Sequence, residues 1–270
     1  MSTRDLIKLI LWFPIGCFMG IFRIFFIFCI GIPSYAIYKK FEAETLFWKT
    51  IGQICGLRAR VTNPEAVVPH DEAPVLVCNH VTDLDGVAFL PILHLPHTVH
   101  IISRYLSPVA NAVTRAGWPL KLIMREIDED KKDLTTQNVL NFFNSEESKE
   151  RQLFVLAEGA TTSGKVGLLR YNKFVFTLGK PIQPFAVRVN THMPICIDCP
   201  SKNMFPNLFW YGFCPICTWE FTALPVQTIC EGEKPEEFAT RVQKLTADHL
   251  GIACTTYFYK DKNRMKKVNI

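Results

Sequence analysis

The residues best placed to do chemistry are a histidine and a carboxylate five positions apart, His80 and Asp85, in Val75-Leu-Val-Cys-Asn-His80-Val-Thr-Asp-Leu-Asp85-Gly86. A histidine takes a proton from an attacking hydroxyl when it titrates near working pH, and a carboxylate on its other ring nitrogen fixes the tautomer and stabilises the imidazolium. On a continuous helix, five residues set side chains about 140° apart, so this pair meets only where the chain turns between them. Residues 75–78 read as a buried strand, and a strand-to-helix turn after it supplies the bend, at the strand end where α/β proteins place their sites. A second reading of the same residues stays open: an ordinary helix start, with Thr82 or Asp83 as N-cap and His80 a plain polar side chain.

The elements that must position this pair follow an α/β alternation. Short β-like runs occur at 75–78, 99–103, 153–156, 184–189, 195–197 and 219–224. Helical patterns fall at 106–116, at 134–143 with Asp133 as N-cap, and after Pro235, where Phe238, Val242 and Leu245 share a stripe that Gly251 closes. Residues 126–133 read as a charged loop, and the lysine-rich end after Tyr259 as a disordered basic tail attracted to anionic lipid.

Composition sets the outer limits. With 270 residues, 49% apolar and 21 of them Phe, the chain has material for a sizeable core and is no disordered or disulfide-stapled peptide. A net charge of +5 is too mild for a nucleic-acid binder unless it is gathered into one stripe. It gathers around an apolar segment instead. Between Leu9 and Tyr38 the only Lys, Arg, His, Asp or Glu is Arg23, in a run long enough to cross a bilayer but interrupted by Pro14 and Pro33. Either a tilted span tolerates the arginine, or a re-entrant hairpin dips into one leaflet. Positive charge on both flanks (Arg4 and Lys8 before, Lys39, Lys40, Arg58 and Arg60 after) favours the hairpin with two cytosolic ends. The expected division is 1–58 for the anchor and a juxtamembrane helix over 41–57, 59–257 for one α/β domain, and 258–270 for the tail. The ten cysteines read as reduced, and no Asn-x-Ser/Thr sequon occurs, in keeping with a cytosolic face.

Three further patterns compete for a functional reading. Gly159-Ala-Thr-Thr-Ser-Gly164-Lys165-Val166 nearly spells a phosphate-binding loop, but Val166 replaces the magnesium-holding Ser or Thr, and Glu158 places a carboxylate beside the phosphate nest. Cys196, Cys199, Cys214 and Cys217 have nearly the spacing of a zinc site, although the intervening Phe205, Leu208, Phe209, Trp210 and Tyr211 suit a core or membrane-facing hairpin better than a metal loop. His94, His97 and His100 recur every third residue across Pro96, which breaks any helix that would align them. No metal is expected.

Against this background the segment Asn79-His80-Val-Thr-Asp-Leu-Asp85 resembles the His-x4-Asp signature of the glycerolipid acyltransferases, which acylate lysophospholipids or glycerol phosphate from acyl-CoA. Further blocks follow in the family's order. Arg125 in Lys121-Leu-Ile-Met-Arg125 stands where the second block has its arginine, without the usual glycine-rich approach. Leu153-Phe-Val-Leu-Ala-Glu158-Gly159 resembles the third, with Ala157 where many members have proline, and Pro184-Phe-Ala-Val the fourth. Within the superfamily the likeness is strongest to the ancient ubiquitous proteins, through Cys78-Asn-His-Val-Thr, Ala160-Thr-Thr-Ser-Gly164 with Gly167-Leu-Leu-Arg170-Tyr171, and Glu237-Phe-Ala-Thr-Arg-Val-Gln-Lys-Leu245.

The resemblance implies an α/β fold, a mixed sheet flanked by helices, behind an N-terminal membrane anchor. It also implies roles. His80 and Asp85 would be catalytic. Arg125 would bind phosphate, and Glu158 and Gly159 would shape the acceptor pocket, Glu158 by hydrogen-bonding glycerol or by fixing Arg125. Acyl-CoA would be the co-substrate with no further cofactor, and membrane lipids and a lysophospholipid the other partners, at the endoplasmic reticulum or a lipid droplet with the domain facing the cytosol. The alternative it carries is a catalytically weak scaffold. That family's ubiquitin-binding and conjugating-enzyme-recruiting segments have no counterpart in these 270 residues, which leaves ubiquitin-pathway partners as an open expectation.

Overall fold

The first helix starts from a reciprocal cap: the Ser2 hydroxyl accepts from the Asp5 N–H at 3.2 Å while the Asp5 carboxylate accepts from the Ser2 N–H at 3.3 Å. The structure, a computed structural model, describes residues 2–41, 43–86, 98–103, 121–125, 132–197 and 204–268. Helix α1 (Thr3–Phe26) passes through a π-helical turn (Ile27–Gly31) into α2 (Ile32–Lys40), so the apolar run stays helical throughout and the expected hairpin turn within it is absent. Pro14 removes only one backbone bond from a long helix, and the π turn just ahead of Pro33 absorbs the second interruption. Residues 3–35 form a candidate span by length and composition, with a mean hydropathy of 2.3.

Arg23 explains why no turn back to water is needed. Its guanidinium is buried and donates to four backbone carbonyls: Ile54 at 3.1 Å, Gly212 at 2.9 Å, Cys214 at 2.6 Å and Pro215 at 3.1 Å. These carbonyls close α3 (Glu44–Cys55) and follow the helix at Met204–Phe213, where the last turn leaves its acceptors without intrahelical partners. Trp12, three turns before Arg23 and therefore on the same face, donates its indole N–H to the Phe213 carbonyl at 2.8 Å. Between the two lie Gly16 and Gly20. A Cβ at Gly16 would come 2.6 Å from Phe213, one at Gly20 2.9 Å from Phe209, and one at Gly212 3.1 Å from Gly20 itself. The small residues let the two apolar helices touch. The other faces of α1 leave Ile10, Leu11, Phe18, Ile21, Phe22 and Phe25 exposed.

The seven-stranded sheet has the order β1-β8-β7-β2-β5-β3-β4. Its strands are β1 (Leu57–Val61), β2 (Val75–Cys78), β3 (Thr98–Ser103), β4 (Lys121–Arg125), β5 (Gln152–Leu156), β7 (Ile182–Thr191) and β8 (Cys217–Ala223). A short parallel pair, β6 (Gly167–Leu168) and β9 (Ala253–Cys254), lies apart. All neighbours in the large sheet are parallel except β7 and β8, so the sheet is mixed. Central β2 is buried at every position and feeds both faces: Val75 and Val77 join one apolar cluster, Leu76 and Cys78 the other. Helices α4 (Lys132–Phe143) and α6 (Pro235–Leu250), the latter closed by Gly251 at φ 67°, cover the first face; α5 (Met204–Phe213) belongs to the second.

Several expectations change. Residues 195–197 form no strand but an irregular stretch after β7, and α4 opens at Lys132, which places Asp133 inside the helix. The basic tail is helical rather than disordered: α7 (Tyr259–Val268) starts with the Phe258 N–H bonded to the Asp261 carboxylate at 2.8 Å, and Lys262 donates to the carbonyl and hydroxyl of Thr161. The helix expected at 106–116 lies outside the described residues.

Replacing Arg23 by Met keeps the apolar length but strands four carbonyls. We expect a loss on the order of 3 kcal/mol, read as a lowered unfolding midpoint of the detergent-solubilised chain, with Arg23→Lys recovering part of it. An unchanged midpoint in Arg23→Met would mean the carbonyls find other partners.

Candidate active site

Parallel neighbours bring the ends of β2 and β5 together, with Cys78 opposite Leu156, so the segments that follow them meet. At this edge β2 must release its backbone from β7, and the Asn79 side chain takes over the pairing. Its amide donates to the Val187 carbonyl at 3.1 Å and its oxygen accepts from the Val187 N–H at 2.7 Å. The chain then turns through 80–84, and the turn brings His80 Nδ1 to 3.1 Å from Asp85 Oδ2. Of the two readings of this segment, the structure realises the one in which histidine and carboxylate touch.

Asp85 is fully buried and receives five donors. Oδ2 accepts from the Val81 N–H at 2.6 Å and the Thr82 N–H at 2.9 Å besides His80, while Oδ1 accepts from the Thr82 hydroxyl at 2.6 Å and the Trp219 indole N–H at 3.0 Å. His80 retains 16% exposure, which opens its ring to the surface. Trp219 was no sequence candidate: it comes from β8, 134 residues away, and only the alternating burial of that strand marks it as inward-facing.

Glu158 takes a part different from the expected ones. Its side chain is fully buried; one oxygen accepts from the His80 N–H at 2.7 Å and the other from the Leu169 N–H at 2.8 Å. Among the described residues its partners are these backbone donors and the Thr162 hydroxyl. Gly159 turns the chain at φ 70°. The loop after it, the one that nearly spells a phosphate nest, closes over the histidine: the Thr162 N–H donates to the His80 carbonyl at 2.7 Å, and Gly164 sits against Val81. Arg125 ends β4, opposite Ser103 of β3. Counting the register outward puts its backbone level with the start of the Glu158 segment, three strand spacings or about 14 Å from β2, on the same edge of the sheet.

Helix α5, packed against α1, reaches the same loop. Asn207 of α5 donates to Asp83 Oδ2 at 2.7 Å, and the Asp83 N–H donates to the Tyr211 hydroxyl at 3.2 Å. Beside them an apolar groove of about 320 Å³ runs between α1 and α5, lined by Leu9, Phe13, Ile195, Ile197, Trp210 and Tyr211.

The competing motifs separate. His100 is a core residue: its Nε2 lies 2.9 Å from the Thr98 hydroxyl, its ring stacks near Phe154, and burial lowers its pKa to about 4; His94 and His97 lie outside the described residues. Cys214 and Cys217 are buried, the Cys217 thiol donating to the Tyr211 carbonyl at 3.8 Å, Cys196 is exposed, and Cys199 is outside the described residues.

Burial pushes the Glu158 carboxyl up to about 7 from an ordinary 4.5, against the two backbone donors that favour its charge. The folded chain thus keeps this proton to about pH 7, whereas the unfolded chain releases it near 4.5. Folding takes up a proton in that window, and stability falls as pH rises through it. Relative to Glu158→Gln, the wild type should lose on the order of 3 kcal/mol between pH 4.5 and 7 in denaturant titrations. A difference that stays flat across the window would remove Glu158 as the titrating group.

No family model matches the chain. It is similar to zebrafish (Danio rerio) AUP1, named a lipid droplet-regulating VLDL assembly factor, at 24% identity over 263 residues, covering 95% of this chain and 57% of that protein. It is similar to human lysophosphatidylcholine acyltransferase 2 at 27% identity over 226 residues, covering 82% of this chain and 39% of the relative. The chain therefore spans less than two thirds of the curated relatives it matches. In fold it is similar to PlsC, the 1-acyl-sn-glycerophosphate acyltransferase of Thermotoga maritima, with a TM-score of 0.55 at 14% identity over 90% of this chain and 99% of that one. Along 95% of its sequence the chain is thus similar to AUP1, along 82% to a lysophosphatidylcholine acyltransferase, and its fold is that of PlsC, so its likeness is to the glycerolipid acyltransferase superfamily and within it to AUP1.

Proposed function

We propose that this chain is an acyl-CoA-dependent O-acyltransferase for a lysophospholipid such as 1-acylglycerol-3-phosphate, working at the endoplasmic reticulum or a lipid droplet with its α/β domain in the cytosol. The observation that carries the reading is the His80–Asp85 contact of 3.1 Å at the end of a central strand, with Asp85 held in place by four other donors.

The chemistry follows from that contact. With its proton on Nδ1 and given to Asp85, His80 has its lone pair on Nε2, where it takes the proton of the acceptor hydroxyl. The oxygen attacks the thioester carbonyl, a C–O bond forms, the C–S bond breaks, and the imidazolium returns the proton to the departing thiolate of CoA. No acyl-enzyme and no metal is required. Arg125 holds the acceptor phosphate, and Glu158 and Gly159 build the floor beneath His80 without touching the acceptor. The exposed apolar face of α1, with the groove beside α5, lets acyl chains approach from the membrane.

A second reading, a catalytically weak scaffold of the lipid droplet, is favoured by the likeness to AUP1 over nearly the whole chain. Purified chain, labelled acyl-CoA and a panel of lysophospholipids separate the two. We expect transfer to at least one acceptor, and a fall of about 10²–10⁴-fold in His80→Ala. Wild type that acylates none of the panel supports the scaffold; a His80→Ala variant as fast as wild type sinks the mechanism.

A further inference from the structure

Asp85 presents two oxygens to two different sets of partners. Oδ2 faces His80 and the backbone of its own turn, while Oδ1 is held by two side chains, the Thr82 hydroxyl at 2.6 Å and the Trp219 indole N–H at 3.0 Å. The same indole N–H lies 3.3 Å from the Thr82 oxygen, so the three groups form a closed triangle, and every member is buried. Thr82 is local and moves with the turn. Trp219 alone fixes the carboxylate to the sheet, since it lies in β8, paired along seven positions with β7 and along five with β1.

We infer that Trp219 is a positioning residue for the His80–Asp85 pair, one that acts through Asp85 and does not touch substrate. The inference rests on the acyltransferase reading for its kinetic consequences but not for its geometry. A buried tryptophan could serve the core alone, with its N–H merely satisfied. The two roles differ in what the N–H does to His80. An indole donor on Oδ1 orients the carboxylate plane and draws off part of its negative charge. Without it, Asp85 attracts the imidazolium more strongly and holds the ring less well, so His80 titrates higher and the productive geometry is sampled less often. A role confined to packing predicts neither change.

Trp219→Phe keeps an aromatic ring in the core and removes the donor. Two measurements on the full-length chain test it. In turnover, we expect kcat to fall about tenfold with KM for acyl-CoA and lysophospholipid within about twofold, and the acidic limb of the kcat/KM profile to move to higher pH. Independently of turnover, the His80 ring resonances in ¹³C-histidine-labelled protein should titrate a few tenths of a pH unit higher than in wild type. Thr82→Val, which removes the other side-chain donor to the same oxygen, should shift His80 in the same direction, and Thr82→Ser should restore it; this series carries the test if Trp219→Phe does not fold. A folded Trp219→Phe chain, or failing that Thr82→Val, whose His80 titration matches wild type overturns the inference. Wild type without turnover overturns the acyltransferase reading and leaves the titration to decide this one.

Discussion

The structure depends on one buried cation. Arg23 sits in the middle of an apolar helix, where an unpaired guanidinium would be costly, and four carbonyls from two other parts of the chain meet it there. Those carbonyls belong to the end of α3, just before β1, and to the turn between α5 and β8. Because β1 and β8 pair in parallel from Leu57 and Cys217 onward, the arginine ties the starts of both strands together and to α1. The anchor helix is thus part of the fold's wiring as well as an apolar surface. A line of contacts runs from Arg23 through the Cys214 and Pro215 carbonyls into β8, from Trp219 of β8 to Asp85, and from Asp85 to His80.

A second route leads from the same helices to the same loop. α5 touches α1 through glycines on both sides, and its Asn207 and Tyr211, one helical turn apart, hold Asp83 by side chain and backbone. The His-x4-Asp turn is therefore gripped at Asp83 from α5, at Asp85 from β8, and at the His80 backbone from Glu158 and Thr162. Six residues with little regular structure of their own gain a single geometry because three separate elements close on them. This is the arrangement expected of a site whose precision comes from its supports.

How much of this could be read in the sequence follows from where each interaction lies. Central strands β2, β5 and β7 were legible because strands buried on both faces are continuous apolar runs, and α6 because Pro235 and Gly251 mark its ends. Outer strands β1 and β4 were not: Leu57–Val61 alternates apolar and charged residues as a half-buried strand does, but its arginines read equally well as charge flanking the apolar segment, and Lys121–Arg125 is bounded by charges. The His80–Asp85 contact was legible as a possibility, since spacing and a strand end allow it, but the remainder of the site is tertiary. Trp219 lies across the antiparallel step between β7 and β8, and nothing in its neighbourhood announces a partner 134 residues earlier. The two backbone donors to Glu158 were not legible, because backbone N–H groups leave no mark in a sequence. Arg23 could not be placed for the same reason: a lone arginine in an apolar run fits a tilted span or a hairpin, and its carbonyl partners lie up to 192 residues away.

The physical cost of Asp85 bears on the choice between enzyme and scaffold. A fully buried ionised carboxylate gains a fold little over an apolar side chain of similar size, because desolvation consumes most of what its hydrogen bonds return. Here it is held by five donors, three of them side chains, and one of its oxygens faces a partly exposed histidine. A leucine at 85 would leave the Val81 and Thr82 N–H groups and the Thr82 hydroxyl buried without that acceptor, so these bonds serve the turn itself. What the turn does not require is an imidazole on the same oxygen, and under the acyltransferase proposal that contact would fix the tautomer and set a charge beside a ring that turns cationic in proton transfer. The His80 contact, rather than the burial of Asp85, is therefore the physical ground on which the proposal of turnover stands against that of a scaffold.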